Sequence, residues 1–470
     1  MKNLKINLLI ILIAILSFAC TAQVTKIEEK AEVNFDSLAV TPPMGWNSWD
    51  CLGIDANESH IRAVVDYMAE NLRKYGWEYV VIDAGWFHPQ EMITAQSHTR
   101  NPIQNMDKYG RLIPDTMKYP SAKGGVGLKT LADYIHSKGL KIGIHVMRGI
   151  PWNAVANNTP IKGTGYFASE VANLKDTCSW SPIMKGVNME KPGAQEYYNS
   201  VYELYAGWGI DFVKIDDIAR PYHSAEIEGV HKAIVNSKAS IVLSLSPAAA
   251  PVAEWAHLAK NAQMWRISDD FWDDWKWLKR QFGLCSKWDS IHIPGHWPDA
   301  DMLPIGKLRI TGGDAWIASQ RGSTIEKVTN EYSRFSDPEK YSLFTLYSIF
   351  RSPLMLGGYL PENDTVTYKI ITNDEVIALD QKSENNHEVL NSNGIVVWSA
   401  ERPGTKTKYV AIFNINDGKP LKTAVNWKEI GLDGELNVRD LWAKKDMGKF
   451  SGEFSTEIEA HGCRLIQVGE

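Results

Sequence analysis

Lys214 and Asp216 stand two residues apart in the run Gly209-Ile210-Asp211-Phe212-Val213-Lys214-Ile215-Asp216-Asp217. Its β-branched and aromatic residues make it a short buried strand, and alternation sends Lys214 and Asp216 to one face, Val213 and Ile215 to the other. An ammonium beside a carboxylate favours the ionised carboxylate, which is the form a nucleophile needs. The same aspartate also suits a plainer role, capping the next helix or pairing in a solvated loop. Asp217, on the face opposite Lys214, reads as such a cap or as a support for its neighbour. Polar residues recur at matching places: Asp83 after Tyr79-Val80-Val81-Ile82, His145 ending Leu140-Lys141-Ile142-Gly143-Ile144, Ser246 after Ile241-Val242-Leu243-Ser244-Leu245, and Asp269 and Asp270 after Met264-Trp265-Arg266-Ile267-Ser268. Each alone is a candidate helix cap. Together, at the C-terminal ends of parallel strands, they ring one mouth of a barrel with acids, a lysine and an arginine.

The segments between these strands have helical periodicity. Ile61, Val64, Val65, Met68 and Leu72 share one face and stop near Gly76; Leu128, Leu131, Ala132 and Ile135 stop at Gly139; Tyr197, Val201, Leu204 and Tyr205 lead into the Lys214 strand. Such alternation over roughly 340 residues predicts an α/β fold, a (β/α)8 TIM barrel over residues 39–382. Character changes after the polar break Ser383 to His387. The segments 394–399, 408–414, 436–440 and 463–468 read as strands separated by turns, predicting a C-terminal antiparallel β-sandwich over 383–470. That second domain carries no catalytic constellation, so its expected role is packing against the barrel.

The chain of 470 residues has a formal net charge of -6 and no basic stripe, which argues against nucleic acid as a partner and leaves neutral or weakly charged substrates open. Its 18 tryptophans suit sugar rings as well as core filling. Lys2 and Lys5 precede an apolar run, Leu8 to Ala19, too short to span a bilayer, which reads as a signal-peptide core. Leu16-Ser17-Phe18-Ala19-Cys20 resembles a bacterial lipoprotein processing site. That implies a signal peptide over 1–20, lipidation of Cys20, a flexible tether over 21–38, and an exported protein, periplasmic or held at the outer membrane by its lipid; plain secretion with cleavage nearby is the alternative. Cys51, Cys178, Cys285 and Cys463 are widely spaced without a CxxC pair, so a zinc site is not expected and no disulfide pairing can be assigned.

Several ordered motifs carry a resemblance over residues 39 to 470: Thr41-Pro42-Pro43-Met44-Gly45-Trp46-Asn47-Ser48-Trp49, Ile82-Asp83-Ala84-Gly85-Trp86, Phe212-Val213-Lys214-Ile215-Asp216, Trp265-Arg266-Ile267-Ser268-Asp269-Asp270, and His296-Trp297-Pro298-Asp299-Ala300-Asp301-Met302-Leu303. The chain resembles glycoside hydrolase family 27, the α-galactosidase or melibiase family. The resemblance implies a barrel with a β-sandwich, a retaining mechanism without metal or cofactor, and an oligosaccharide or polysaccharide substrate. It implies Asp216 as nucleophile and Asp270 as acid/base, Lys214 and Arg266 as donors to sugar hydroxyls, Asp83 as a grip on the outer hydroxyls, and Trp49 as an aromatic wall. Two carboxylates about 5 to 5.5 Å apart support a covalent glycosyl-enzyme and net retention.

The departures fall where sugar identity is read. Ala84 stands where many α-galactosidases have a second carboxylate, removing a contact expected near the axial O4. His145 replaces a usual tyrosine, and Ile218 stands where a cysteine would form the family's disulfide beside the nucleophile. Ser246 with Ala249 resembles the α-N-acetylgalactosaminidase pattern, leaving room at O2. The leading expectation is an exo-acting α-galactosidase. An α-N-acetylgalactosaminidase, a β-L-arabinopyranosidase or an isomaltodextranase-like enzyme would use the same mechanism, and a silent glycan-binding lipoprotein would use the same pocket without needing an acid/base pair.

Overall fold

Strand alternation builds the frame. The computed structural model describes residues 34–89, 103–179, 181–291, 293–311 and 331–469. Cys20, the expected signal peptide and most of the expected tether lie outside the described residues. Eight parallel strands form the barrel: β1 (Met44–Asn47), β2 (Tyr79–Ile82), β3 (Lys141–Met147), β4 (Phe212–Asp216), β5 (Val242–Leu245), β6 (Met264–Arg266), β7 (Trp297–Asp299) and β8 (Leu354–Leu356). They pair in the order β7-β6-β5-β4-β3-β2-β1-β8. The ring closes through Leu303, whose N–H donates to Met355 O at 2.7 Å and whose carbonyl accepts from Gly357 N at 2.9 Å.

Alternate residues separate into two apolar sets. Tyr79, Val81, Phe212, Val242, Met264, Trp297 and Met355 form their own cluster inside the barrel. Their chain neighbours Val80, Ile82, Val213, Leu243, Leu245 and Trp265 belong to the larger core under the helices. Gly143 faces inward, where an added Cβ would fall 2.9 Å from Val81 Cγ2 and 3.1 Å from Phe212 Cβ, so only glycine leaves those side chains their space. One step further along the inward parity the residues turn polar, and His145 pairs with Lys214, and Lys214 with Ser244, across the sheet.

The outer helices follow the apolar stripes. Helix α1 (Glu58–Asn71) starts on Asn57, whose side chain accepts from the N–H groups of Ser59 and His60, and buries Ile61, Val64, Val65 and Met68. Helix α2 (Lys129–Ser137) buries Leu131, Ala132 and Ile135. Helix α3 (Ala194–Trp208) buries Tyr197, Tyr198, Val201, Tyr202 and Tyr205 and stops at Gly209, directly before β4. Helix α4 (Ser224–Ser237) follows β4, and α5 (Trp255–Asn261), α6 (Trp275–Trp288), α7 (Asp337–Phe350) and α8 (Asp374–Lys382) come later in the chain.

The second sheet joins β9 (Glu384–Ser392), β10 (Ile395–Glu401), β11 (Lys408–Asn414), β13 (Glu435–Asp440), β14 (Lys445–Ser451) and β16 (Cys463–Gly469) in the order β9-β10-β11-β16-β13-β14; β12 (Leu421–Asn426) and β15 (Glu453–Ile458) pair separately. Ile395, Val397, Val410 and Ile412 pack with Val425 and Phe454 of that pair. The opposite parity, Val396, Trp398, Ala411 and Phe413, belongs to the barrel's core. Trp398 meets Phe350, and Phe413 meets Phe282, edge to face.

One boundary shifts. The tether ends before residue 38, because Phe35 is buried, its ring lies 4.3 Å from that of His231, and Gln263 Nε2 donates to its carbonyl at 3.0 Å. The tryptophans serve mainly the core: Trp46, Trp77, Trp86, Trp265, Trp288, Trp398 and Trp427 are among the largest fully buried side chains. Among the described residues no helix is long and apolar enough to cross a membrane, and Cys51, Cys285 and Cys463 are free thiols.

Candidate active site

Strand ends bring the predicted residues to one mouth as two linked groups. In the first, Lys214 Nζ lies 2.8 Å and Asn47 Nδ2 2.7 Å from Asp83 Oδ2, while the Ala84 N–H donates to Asp83 Oδ1 at 2.8 Å. Asp83 is therefore held from three directions. His145 Nε2 stands 2.9 Å from Asp216 Oδ2, an ion-pair distance at which the ring is not aligned for a hydrogen bond. Trp86 fixes the end of β3 by donating from Nε1 to His145 O at 2.7 Å. Asp216 Oδ1 is buried and has no hydrogen-bond partner among the described residues.

The second group is built on Arg266, whose Nη2 lies 2.6 Å from Asp301 Oδ2 and 3.4 Å from Asp270 Oδ1, and whose Nη1 donates to Ser246 Oγ at 3.5 Å. Asp270 is the open member, its side chain 35% exposed against 13% for Asp216. Beneath them a cavity of about 20 Å³, room for about one water molecule, is lined by Lys214, Ser244, Ser246, Arg266, Asp299 and Asp301. Trp49 begins the turn after β1, packs on the interior apolar cluster, and donates its N–H to Asn47 Oδ1 at 2.8 Å. Ala249 lies half-buried in the loop after β5.

Charge decides the protonation states. Burial disfavours the Asp83 carboxylate, but Lys214, with His145, outweighs burial and holds the acid below the usual range. Asp216 follows the same balance: burial raises it, and His145 and Lys214 bring it below its ordinary value. For Lys214, burial opposes the charge, and Asp83 and Asp216 raise the ammonium's pKa well above normal. Arg266 likewise overcomes burial through Asp301 and Asp270, and Asp216 adds to the field it feels, so the two groups share one electrostatic site. Asp301 goes the other way, pushed by burial to about 7 although Arg266 pulls it back.

Asp217 is no helix cap. Helix α4 starts seven residues later, after His223, and Asp217 takes a left-handed φ of +63° with its carboxylate Oδ2 2.9 Å from Arg148 Nη2. Asp176, His223 and Glu226 each bring one potential metal-ligand atom to within 4.8 Å of the others. Arg148 already bonds both of these carboxylates, so the chain supplies the cation itself. Asn47, Asp301 and Arg148 were not expected from the sequence. Asp301 had a signal, standing two residues after Asp299 on the inward parity at the end of β7; Asn47 had a weaker one, inside the first motif; Arg148, past its strand's inward pattern, had none.

A closed parallel barrel holds one ionised aspartate and a second tied to arginine at the same mouth, a pair of carboxylates that can act together on a polar bond, and a β-sandwich follows. Known proteins make the assignment specific. Residues 41–154 and 182–318 match the family model described as Alpha galactosidase A, and 392–468 match the Alpha galactosidase C-terminal beta sandwich domain. A GH27 β-L-arabinopyranosidase from Geobacillus stearothermophilus is 43% identical with a TM-score of 0.87, covering 94% of this chain and 99% of that one. The α-galactosidase of Cyamopsis tetragonoloba is 28% identical over 438 residues, 92% of this chain and 86% of that protein. Alpha-galactosidase A of Cellvibrio japonicus is 27% identical over 460 residues, 92% of this chain and 93% of that protein. The chain belongs to the α-galactosidase family, glycoside hydrolase family 27, and is a glycoside hydrolase.

Proposed function

We propose that this protein is a retaining exo-glycosidase that removes terminal α-D-galactosyl residues by double displacement. The observation that carries the reading is Asp216: kept ionised by His145 and Lys214, with Oδ1 unpartnered, at the end of β4. Asp216 attacks the anomeric carbon while Asp270 gives its proton to the leaving oxygen; a covalent glycosyl-enzyme forms, and Asp270 then takes a proton from the water that releases the sugar. Arg266 remains a cation throughout, so it orients Asp270 without competing for the proton. Asp83, Lys214 and Arg266 hold the sugar hydroxyls.

A second sugar is favoured by two observations. At residue 84 a methyl group replaces the carboxylate expected there, and the chain is 43% identical to a β-L-arabinopyranosidase. β-L-arabinopyranose keeps the galacto arrangement of ring hydroxyls without the hydroxymethyl group, which in galactose lies beside the axial O4 on the same face of the ring, so a site with less polar reach there suits it. Hydrolysis of the nitrophenyl α-D-galactoside, β-L-arabinopyranoside and α-N-acetylgalactosaminide, followed by proton NMR of the anomeric signals, tests the reading. Release of galactose with its configuration retained supports it. Release of arabinose alone moves the assignment to the second sugar, and an inverted first product overturns double displacement.

The same proposal includes export as a lipoprotein, periplasmic or at the outer membrane, supported by the apolar run ending at Cys20. The mild negative charge without a basic stripe fits a carbohydrate substrate and no nucleic acid. Incorporation of labelled palmitate that disappears in Cys20→Ser tests the anchor.

A further inference from the structure

Behind the mouth, on the far side of β4 from Lys214, Arg148 makes an unusual set of bonds. Its N–H donates to Asp216 O at 2.9 Å, its Nε to Asp217 O at 2.8 Å, and its Nη2 to Asp217 Oδ2 at 2.9 Å. One residue thus grips the turn that carries the nucleophile, its backbone N–H taking the Asp216 carbonyl and its side chain the carbonyl and carboxylate of Asp217. The guanidinium is braced behind by Asp176, at 2.8 and 2.9 Å, and by Glu226 at 2.6 Å. Glu226 is fixed in turn by Tyr198 Oη and by Val187 N at 3.2 Å. Space is reserved for the cluster, since a Cβ at Gly186 would fall 2.2 Å from Asp176 Oδ2 and 2.8 Å from Arg148 Nη1. The Arg148 side chain is 2% exposed.

The grip falls where the backbone needs it. Asp217 has φ +63°, a conformation that costs a residue other than glycine about 1 kcal/mol or more unless its surroundings hold it. Residue 218, directly after this turn, is isoleucine and offers no thiol for a covalent tie between the ends of β3 and β4. We propose that Arg148 is a positioning residue for Asp216: braced by Asp176 and Glu226, it locks the left-handed turn at Asp217 and so sets the nucleophile's carboxylate against the anomeric carbon. This inference rests on Asp216 as nucleophile. Arg148 touches no substrate atom; its side chain acts through the carbonyl and carboxylate of Asp217, next in the chain to the nucleophile.

The test separates the two claims. Asp216→Gly with added azide first checks the nucleophile: turnover lost without azide, and a glycosyl azide of inverted configuration formed with it, upholds that reading. Asp217→Gly, which relieves the φ requirement and keeps the fold, removes the carboxylate Arg148 holds. Its kcat is expected to fall about tenfold with KM changed by less than about threefold, whereas Asp217→Asn, which can still accept from Nη2, restores most of kcat. Arg148→Lys, which keeps the charge and loses the fork, is expected to lose about 10²-fold in kcat, the scale of a small misplacement of reacting groups. Azide rescue of Asp216→Gly together with wild-type kcat in folded Asp217→Gly and Arg148→Lys overturns the inference alone. Turnover retained by Asp216→Gly overturns the nucleophile reading, and the inference falls with it.

Discussion

Asp216 and Asp217 are consecutive and both largely buried, yet their surroundings drive them in opposite directions. Asp216 shares its neighbourhood with Lys214 and His145, and these outweigh burial and keep it below its usual pKa. Asp217 is raised, because burial dominates and its cation, Arg148, is shared with Asp176 and Glu226. Glu226 is raised by burial for the same reason. One lysine facing the mouth keeps charge available for chemistry; one arginine behind it is saturated by three acids and has none to spare. Burial alone therefore says little about what an aspartate can do. What decides is how many carboxylates divide each cation.

That contrast can be broken most directly by paired substitutions. Asp216→Asn is expected to lower kcat by roughly 10⁴-fold, and Asp217→Asn by no more than about threefold; equal losses in steady-state kinetics would erase the distinction. Asp270→Ala should cost about 10² to 10⁴-fold on an alkyl galactoside and much less on a nitrophenyl one, whose leaving group needs no proton. A loss independent of leaving group removes Asp270 from the acid role. Lys214→Met should leave Asp83 and Asp216 without their ammonium, so the acid limb of kcat/KM moves to higher pH as the Asp216 carboxyl rises. An unmoved limb would mean His145 alone keeps Asp216 ionised.

Ala84→Asp should raise galactoside over arabinopyranoside hydrolysis by about tenfold in the ratio of kcat/KM, the scale of one added pocket contact. The smallest expected effect is on stability. Asp217, Glu226 and Asp301 have raised pKa values in the folded state, so their contribution is full below the unfolded carboxylate pKa and is lost as pH rises through the folded values. For Asp301 that window runs from about 4 to about 7. Asp83 and Asp216 contribute oppositely, losing stability as pH falls. Asp217→Asn should therefore flatten the fall of Tm with rising pH by a few degrees, measured by calorimetry.

The mouth was legible because strand parity is a local rule. Lys214 and Asp216 are two residues apart, and Asp83 and His145 extend the inward parity of their strands, so one-dimensional spacing predicts a shared face. The barrel's last two strands, Trp297–Asp299 and Leu354–Leu356, are hidden by breakers, the first centred on Pro298 and the second enclosed by Pro353 and Gly357. In the sandwich, Lys445–Ser451 escaped because all but one of its residues are exposed and carry no apolar alternation. The Arg148 cluster was illegible for another reason. Its members lie at 148, 176, 217 and 226, on four segments that only the closed barrel brings together, and an arginine after a strand looks like any solvated charge. Asp301 joins Arg266 across 35 positions in the same way.

The six-stranded sheet of the second domain, wet on neither face of its central strands, has a consequence for autonomy. Its Val397 parity is covered by the domain's own two-stranded sheet, and its Trp398 parity by the barrel. A chain ending after Lys382 would present Phe282 and Phe350 to solvent, and an excised sandwich would present Trp398 and Phe413, buried side chains of a kind that cost about 3–5 kcal/mol each when truncated to alanine. The change in sequence character at residue 383 marks a border between architectures but not between folding units: the two halves should melt in a single transition, and neither can be shed or exchanged without supplying the other's missing wall.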